Sequence, residues 1–221
     1  MNRIIVMAIA TIMAISTMSA QYQPGTVSIQ PKIGIGVSNI TGLGRSDLSN
    51  AVIIDKAPCA AALVGADLEY QISDKLGMCL GINYSLQGCA WENYSVNKVR
   101  YKYPRVELGY FYFPIVANIY IIEGVALKTG IQFGVLSDAA FKTSFKTTVE
   151  QSEVTYDASI DLKDEFEKLD VSIPFGLSYE SSKHWVFDAR YNLGVLNINK
   201  NRGDEYKNSV FMITCGYKIS L

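Results

Sequence analysis

The chain has 221 residues and a formal net charge of −1, from 20 Lys+Arg against 21 Asp+Glu. That balance leaves no electrostatic footprint for nucleic acid. Beyond the first 20 residues, no apolar run is long enough for a helix to span a bilayer. The 14 Tyr and 17 Gly sit instead among apolar residues that alternate with polar ones, the texture of an all-β chain.

In chain order, Arg3 supplies a positive start, Ile4 to Ile15 form a short apolar run, and the small residues Ser16, Thr17, Ser19 and Ala20 follow. This is the arrangement of a cleaved secretory signal, so residues 1–20 are expected to be a signal peptide and 21–221 one β-barrel domain. Period-2 alternation then predicts eight strands, near 26–38, 60–72, 76–88, 105–121, 125–136, 169–180, 185–197 and 209–221. Most are near the roughly 9–11 residues that a tilted strand needs to cross a bilayer, and the fourth is long enough to project beyond it. In the first, Val27, Ile29, Ile33, Ile35 and Val37 share one face, while Ser28, Gln30, Lys32, Gly34 and Gly36 share the other. The fifth sets Val125, Leu127, Ile131, Phe133 and Val135 against Lys128, Gly130, Gln132 and Gly134.

A soluble lipocalin-like barrel alternates too, with its apolar face inward and an outer face crowded with Lys and Glu. Here the polar face is Gly-rich and small, which suits the interior of a narrow barrel, so the apolar face is assigned to lipid. The connections agree. Short links at 73–75, 122–124 and 181–184 alternate with long ones at 39–59, 89–104, 137–168 and 198–208, the periplasmic-turn and external-loop asymmetry of outer-membrane barrels. The expected fold is therefore an eight-stranded antiparallel up-and-down transmembrane β-barrel in the outer membrane. Tyr70, Tyr120, Tyr179, Trp185 and Tyr217 are placed in a periplasmic aromatic girdle.

The inward positions include Lys32, Asp67, Glu69, Lys128, Asp170, Glu180, Asp188, Arg190 and Lys218. Unpaired charges in so narrow a space are costly, so the reading is a charge-and-amide network that plugs the lumen. A narrow channel or binding barrel for a small solute stands as the alternative. Pro114 and Pro174 fall on the same face and are expected to mark bulges or bends. If the second and third strands form a hairpin across 73–75, Cys59 and Cys89 face each other, and a disulfide between them is expected. Cys79 faces inward and Cys215 outward. His184, the only histidine, is read as a turn residue opposite Glu180.

No metal-ligand spacing, phosphate-cradling loop or nucleophile elbow is present, so neither a cofactor nor an enzymatic activity is expected. Specific function is assigned to the external loops. The 89–104 loop is aromatic and basic, with Trp91, Tyr94, Lys98, Arg100, Tyr101 and Lys102. It suits contact with lipopolysaccharide phosphates or a protein partner, or an interfacial girdle extended above the membrane. The 137–168 loop ends in a charged stretch, 161–168, open to a short helix or to extension of the flanking strands.

The run Tyr110 to Asn118 (YFYFPIVAN) resembles the Tyr-x-x-Ile-Pro strand of PorT-like outer-membrane barrel proteins of Bacteroidetes bacteria. Asp170 to Gly176 and Asp188 to Gly194 are similar to that family's sixth and seventh strands, and Lys32 to Asn39 to its first. The resemblance spans essentially the whole mature chain and implies an eight-stranded barrel. It implies little about activity, since the family is functionally diverse. The combined expectation is a non-enzymatic barrel with a structural or interaction role exerted through its external loops, suited to an accessory subunit of an envelope assembly. Its expected partners are outer-membrane lipid, lipopolysaccharide and an envelope protein.

Overall fold

The computed structural model describes residues 23–43, 55–96, 99–149, 152–201 and 204–221. The expected signal peptide lies outside these residues, as does Lys98. The strands are β1 (Val27–Thr41), β2 (Lys56–Ala57), β3 (Cys59–Ser73), β4 (Leu76–Trp91), β5 (Tyr94–Val96), β6 (Val99–Ile122), β7 (Val125–Val149), β8 (Ser152–Asp161), β9 (Leu169–Glu180), β10 (Trp185–Gly194), β11 (Lys207–Tyr217) and β12 (Ile219–Ser220). A single 3-10 turn, Lys163–Glu165, follows β8.

Eight of these close a cylinder. β1 pairs β3, β3 pairs β4, β4 pairs β6, β6 pairs β7, β7 pairs β9, β9 pairs β10, β10 pairs β11, and β11 returns to β1, every pair antiparallel. The first and last staves meet over a continuous register from Lys32↔Gly216 to Thr41↔Lys207. Closure removes the sheet edges that lipid cannot hydrogen-bond. This is the eight-stranded antiparallel fold that the alternation predicts.

Around the cylinder the outward side chains form an apolar belt, including Ile33 and Ile35 of β1, Leu80 and Ile82 of β4, Phe111 and Phe113 of β6, and Phe211 and Ile213 of β11, all exposed. The inward positions are buried and polar. Tyr70, Tyr179, Trp185 and Tyr217 are exposed near the short-turn end, the girdle position. Tyr120 is a correction to that girdle: it shares inward parity with Asn118, and its hydroxyl donates to Glu69 Oε1 at 2.7 Å.

Two further expectations are corrected. Neither proline makes a bulge: Pro114↔Gln132 and Pro174↔Asn192 stay in register. Each proline instead interrupts the ladder on its other side, where an N–H is missing, and the register resumes unchanged beyond the gap. The facing residue across each gap is a glycine, Gly81 or Gly130, and a Cβ on Gly81 would lie 2.8 Å from Pro114 Cγ.

The Cys59–Cys89 bridge is not formed; both cysteines are buried free thiols. The β3–β4 register that would oppose them runs to Ala62↔Leu86, but Ala57↔Ala90 and Lys56↔Trp91 are offset from it by one residue. Gly88, at a φ of 151°, lies beside that slip.

Candidate functional site

The lumen is filled in tiers. At the short-turn end, Lys218 Nζ lies 2.8 Å from Glu69 Oε2 and 3.1 Å from Glu180 Oε2. It also donates to the Tyr120 hydroxyl at 3.1 Å. His184 Nδ1 stands 3.4 Å from Glu180 Oε1, in a turn where His184 itself has a φ of 63°. In the next tier Lys32 pairs with Asp67. Lys128 pairs with Asp188 at 2.8 Å, Arg190 reaches the same carboxylate at 3.8 Å, and Thr214 Oγ1 donates to it at 3.1 Å. These strands supply the pairs because alternation sends every second side chain inward. All nine charged inward positions are buried, and eight of them, all but Asp170, lie in these two tiers.

Above them lies a tier that charge counting shows only through Asp170. Tyr112 donates to Asp170 Oδ2 at 2.7 Å, Asn208 Nδ2 to the same oxygen at 3.0 Å, and Gln87 Nε2 to the Tyr112 hydroxyl at 2.8 Å. The Tyr110 and Tyr112 rings stack at 5.3 Å. The top of the lumen is apolar: Ile40, Val106, Leu108, Leu136, Ala139, Phe166 and Ile198 form one buried cluster, with Trp91 and Phe141 packed against it. Phe166 and Ile198 come from the loops after β8 and β10, which fold inward as a lid. Ile198→Ala is expected to destabilise the protein by about 2 kcal/mol, read from denaturant unfolding. Bilayer conductance should stay at background, because the polar tiers below remain in place.

At the height of the lid the wall inverts. On β6 the lipid-facing residues Phe111, Phe113 and Ile115 give way to outward Arg105 and Glu107, while inward Val106 and Leu108 become apolar. Arg105 Nε lies 2.6 Å from Glu107 Oε1, and Lys142 pairs with the other carboxylate oxygen. Partial burial pushes the Glu107 carboxyl up, but hydrogen bonds from Lys142 and Arg105 outweigh it and hold the group below the usual range. Burial also raises both lid-level thiols, Cys89 to about 12. Neither Cys59 nor Cys89 is therefore expected to react with an aromatic disulfide reagent at pH 8 until the protein is unfolded. Rapid titration of two thiols in the folded protein would contradict this.

Beyond the lid, β6 and β7 continue as a sheet. β5 joins β6 from Tyr94↔Tyr101 to Val96↔Val99, and β8 joins β7 from Ala140↔Asp161 to Val149↔Ser152. Most of the two long loops of 89–104 and 137–168 is thus strand. The charged stretch 161–168 ends β8 at Asp161, forms the short 3-10 turn and carries Phe166 into the lid. Of the expected external contact residues, Tyr94 and Tyr101 stack at 4.8 Å on the lumen-side face. Arg100 and Lys102 occupy the opposite parity on β6, pairing Lys146 and Ser144 across the ladder. Trp91 belongs to the lid instead, its ring 6.3 Å from that of Phe141. The five described residues of the set are therefore split between two faces and a core, and do not form one patch.

Solved structures with similar chain traces include several outer-membrane proteins. The Ail attachment invasion locus protein of Yersinia pestis is 16% identical, covering 89% of this chain and 100% of that one, with a TM-score of 0.43. Neisserial surface protein A is 11% identical, covering 87% and 97%, with a TM-score of 0.43. OprG of Pseudomonas aeruginosa is 11% identical, covering 91% and 99%, with a TM-score of 0.38. No curated protein matches the chain in sequence. The outer membrane protein beta-barrel domain family matches residues 19–200. The closed cylinder with its apolar belt and polar interior agrees with that match, and the chain belongs to the outer membrane protein beta-barrel domain family.

Proposed function

We propose that this outer-membrane barrel is a non-enzymatic interaction protein whose working surface is the sheet of β5, β6, β7 and β8. The observation that carries this reading is the contrast between the two ends of the wall. The lumen is occupied by paired charges and closed by the lid, whereas β6 and β7 run 24 and 25 residues, far more than a bilayer crossing needs. The excess is ordered sheet, not slack loop, and ordering it has an entropic cost that contact with a partner would offset. The PorT-like resemblance, with its Bacteroidetes setting, and an accessory place in an envelope assembly belong to the same proposal. So does the signal peptide, which predicts a mature chain beginning at or next to Gln21.

The lipid partner fits the wall just below the sheet. An outward groove of about 880 Å³ is lined by Ile35, Val37, Ala60, Ala62, Leu86 and Phe211, with Arg105 and Glu107 among its polar residues. Ala60 and Ala62 make the depression, since their neighbours on the belt are larger. An acyl chain in the groove would place a lipopolysaccharide phosphate near Arg105 and Lys142. R105S/K142S is expected to lower lipopolysaccharide retained through purification by several-fold, read by phosphate content per barrel.

The interaction reading is tested with the intact protein in two measurements. In planar bilayers it should give no stable single-channel steps. In intact cells, a photo-crosslinking residue at position 102 or 156 should give discrete protein adducts, and one at position 115, in the lipid belt, should not. A steady ion-conducting pore would overturn the reading in favour of a small-solute channel.

A further inference from the structure

Within the external sheet, the two edges differ. β8 is hydrogen-bonded to β7 along one side over an unbroken register of its whole length, and among the described residues no strand pairs with its other side. Alternate backbone N–H and C=O groups along that side therefore point away from the sheet. Natural edges are usually protected by charged side chains, lysine above all, by proline or by a bulge, and the only charges on β8 are the acidic Glu153, Asp157 and Asp161. β8, with the sequence SEVTYDASID, carries no lysine or proline, and its ladder has no bulge.

The side chains beside this edge are sorted by face. On the lumen-side face an aromatic row crosses all four strands: Tyr94 to Tyr101 at 4.8 Å, Tyr101 to Phe145 at 6.2 Å, and Phe145 to Tyr156 at 5.4 Å. The row ends at the edge on Tyr156, which is 47% exposed, and Ile160 stands on the same face at 57%. On the opposite face the edge carries Asp157, which accepts from Ser144 Oγ at 2.6 Å, and Asp161, whose Oδ1 accepts from the Lys163 backbone. Both carboxylates are exposed.

We infer that the free edge of β8 takes up an extended polypeptide strand in which apolar and basic residues alternate. The inference rests on the interaction reading above and names the partner's chemistry. An added strand would satisfy the open backbone groups, and its alternate side chains would be read by the two faces. Apolar residues would continue the surface of Tyr156 and Ile160, and Lys or Arg would lie across from Asp157 and Asp161. A second copy of this chain is the poorer occupant. Any antiparallel self-pairing that keeps the apolar faces together brings the aspartates of the two copies onto one face, where like charges repel.

The test uses the full-length protein in phosphatidylcholine nanodiscs and two synthetic peptides as long as β8, one alternating valine with lysine and one alternating valine with glutamate. The valine–lysine peptide should bind about ten-fold more tightly, on the scale of two favourable cross-strand charge pairs replacing two unfavourable ones. It should also slow amide exchange across 155–161. D157K/D161K should reverse the preference, with a heat-modifiable barrel as the folding control. Thr155→Pro and Tyr156→Pro, placed on adjacent residues so that one removes an edge-facing N–H, should together show one variant that keeps β7–β8 pairing and loses peptide. Absence of β8 protection by either peptide would overturn the inference, as would binding unaffected by the charge reversal. Concentration-dependent dimers with protected β8 amides would overturn it in favour of a second copy. These failures leave the crosslinks at 102 or 156 intact, whereas failure of the interaction reading shows as a pore.

Discussion

Asp188→Leu should lower the stability of the barrel by about 3–5 kcal/mol, the range for stranding a buried charge without its partner. Asp188 is the shared acceptor of the central tier: Lys128 at 2.8 Å, Arg190 at 3.8 Å and Thr214 at 3.1 Å all meet it. Its removal leaves two cations in a space where both side chains are almost fully buried. The loss should appear as a fall in urea midpoint in detergent and as a lower temperature for the boiling-dependent gel shift. K128M/D188L should recover part of it, because one of the two orphaned cations goes as well. A single variant as stable as the parent would mean that water, not Asp188, solvates Lys128 and Arg190, and the lumen would then be open.

Gly36→Val is expected to abolish assembly of a heat-modifiable barrel. A Cβ on Gly36 would stand 1.9 Å from the Phe211 carbonyl oxygen, across the seam where β1 meets β11. The struck atom is backbone, so no rotamer relieves it, and the two strands would have to separate at the contact that closes the cylinder. Gly130→Val should act alike, since its Cβ would meet the Ile115 carbonyl oxygen at 2.0 Å. Even the alanine variants should be destabilised by about 1–3 kcal/mol, the scale of overpacking. Ala62→Val, on the lipid side of the same wall, should be tolerated. Normal folding of Gly36→Val would show that the seam is looser than these distances require.

The eight staves were legible because lipid imposes one rule on every strand. Val27, Ile29, Ile33 and Ile35, or Phe211, Ile213 and Tyr217, can share a face only if that face meets hydrocarbon and the other side is crowded. The same rule hid the external sheet. Above the lipid belt the outside is water, so the apolar parity changes sides: Val106 and Leu108 turn in, and Arg105 and Glu107 turn out. On β7 the change coincides with a register shift beside Gly109 and Tyr110, after which Ala139 and Phe141 take the inward positions. A pattern sought with constant parity ends there and reads the remainder as loop. The lumen charges were legible residue by residue from parity alone, but their partners were not. Which lysine meets which aspartate depends on the stagger between staves, and Tyr112 and Asn208 carry no charge to betray their contact with Asp170. The disulfide expectation failed through one displaced residue near Gly88, which no spacing argument can see.

The lid gives this wall two kinds of interior. Its lower half is held by ion pairs and by surrounding hydrocarbon, while the upper half is an oil-drop core built around Leu108, Phe166 and Ile198 with water outside. The second kind draws on hydration of apolar surface and weakens as temperature falls, and urea erodes it directly. The molecule should therefore not melt as one body. Chilling or mild urea would loosen the crown first and leave a sound stump in the bilayer, so any activity of the crown carries a thermal window of its own, narrower than that of the barrel beneath it.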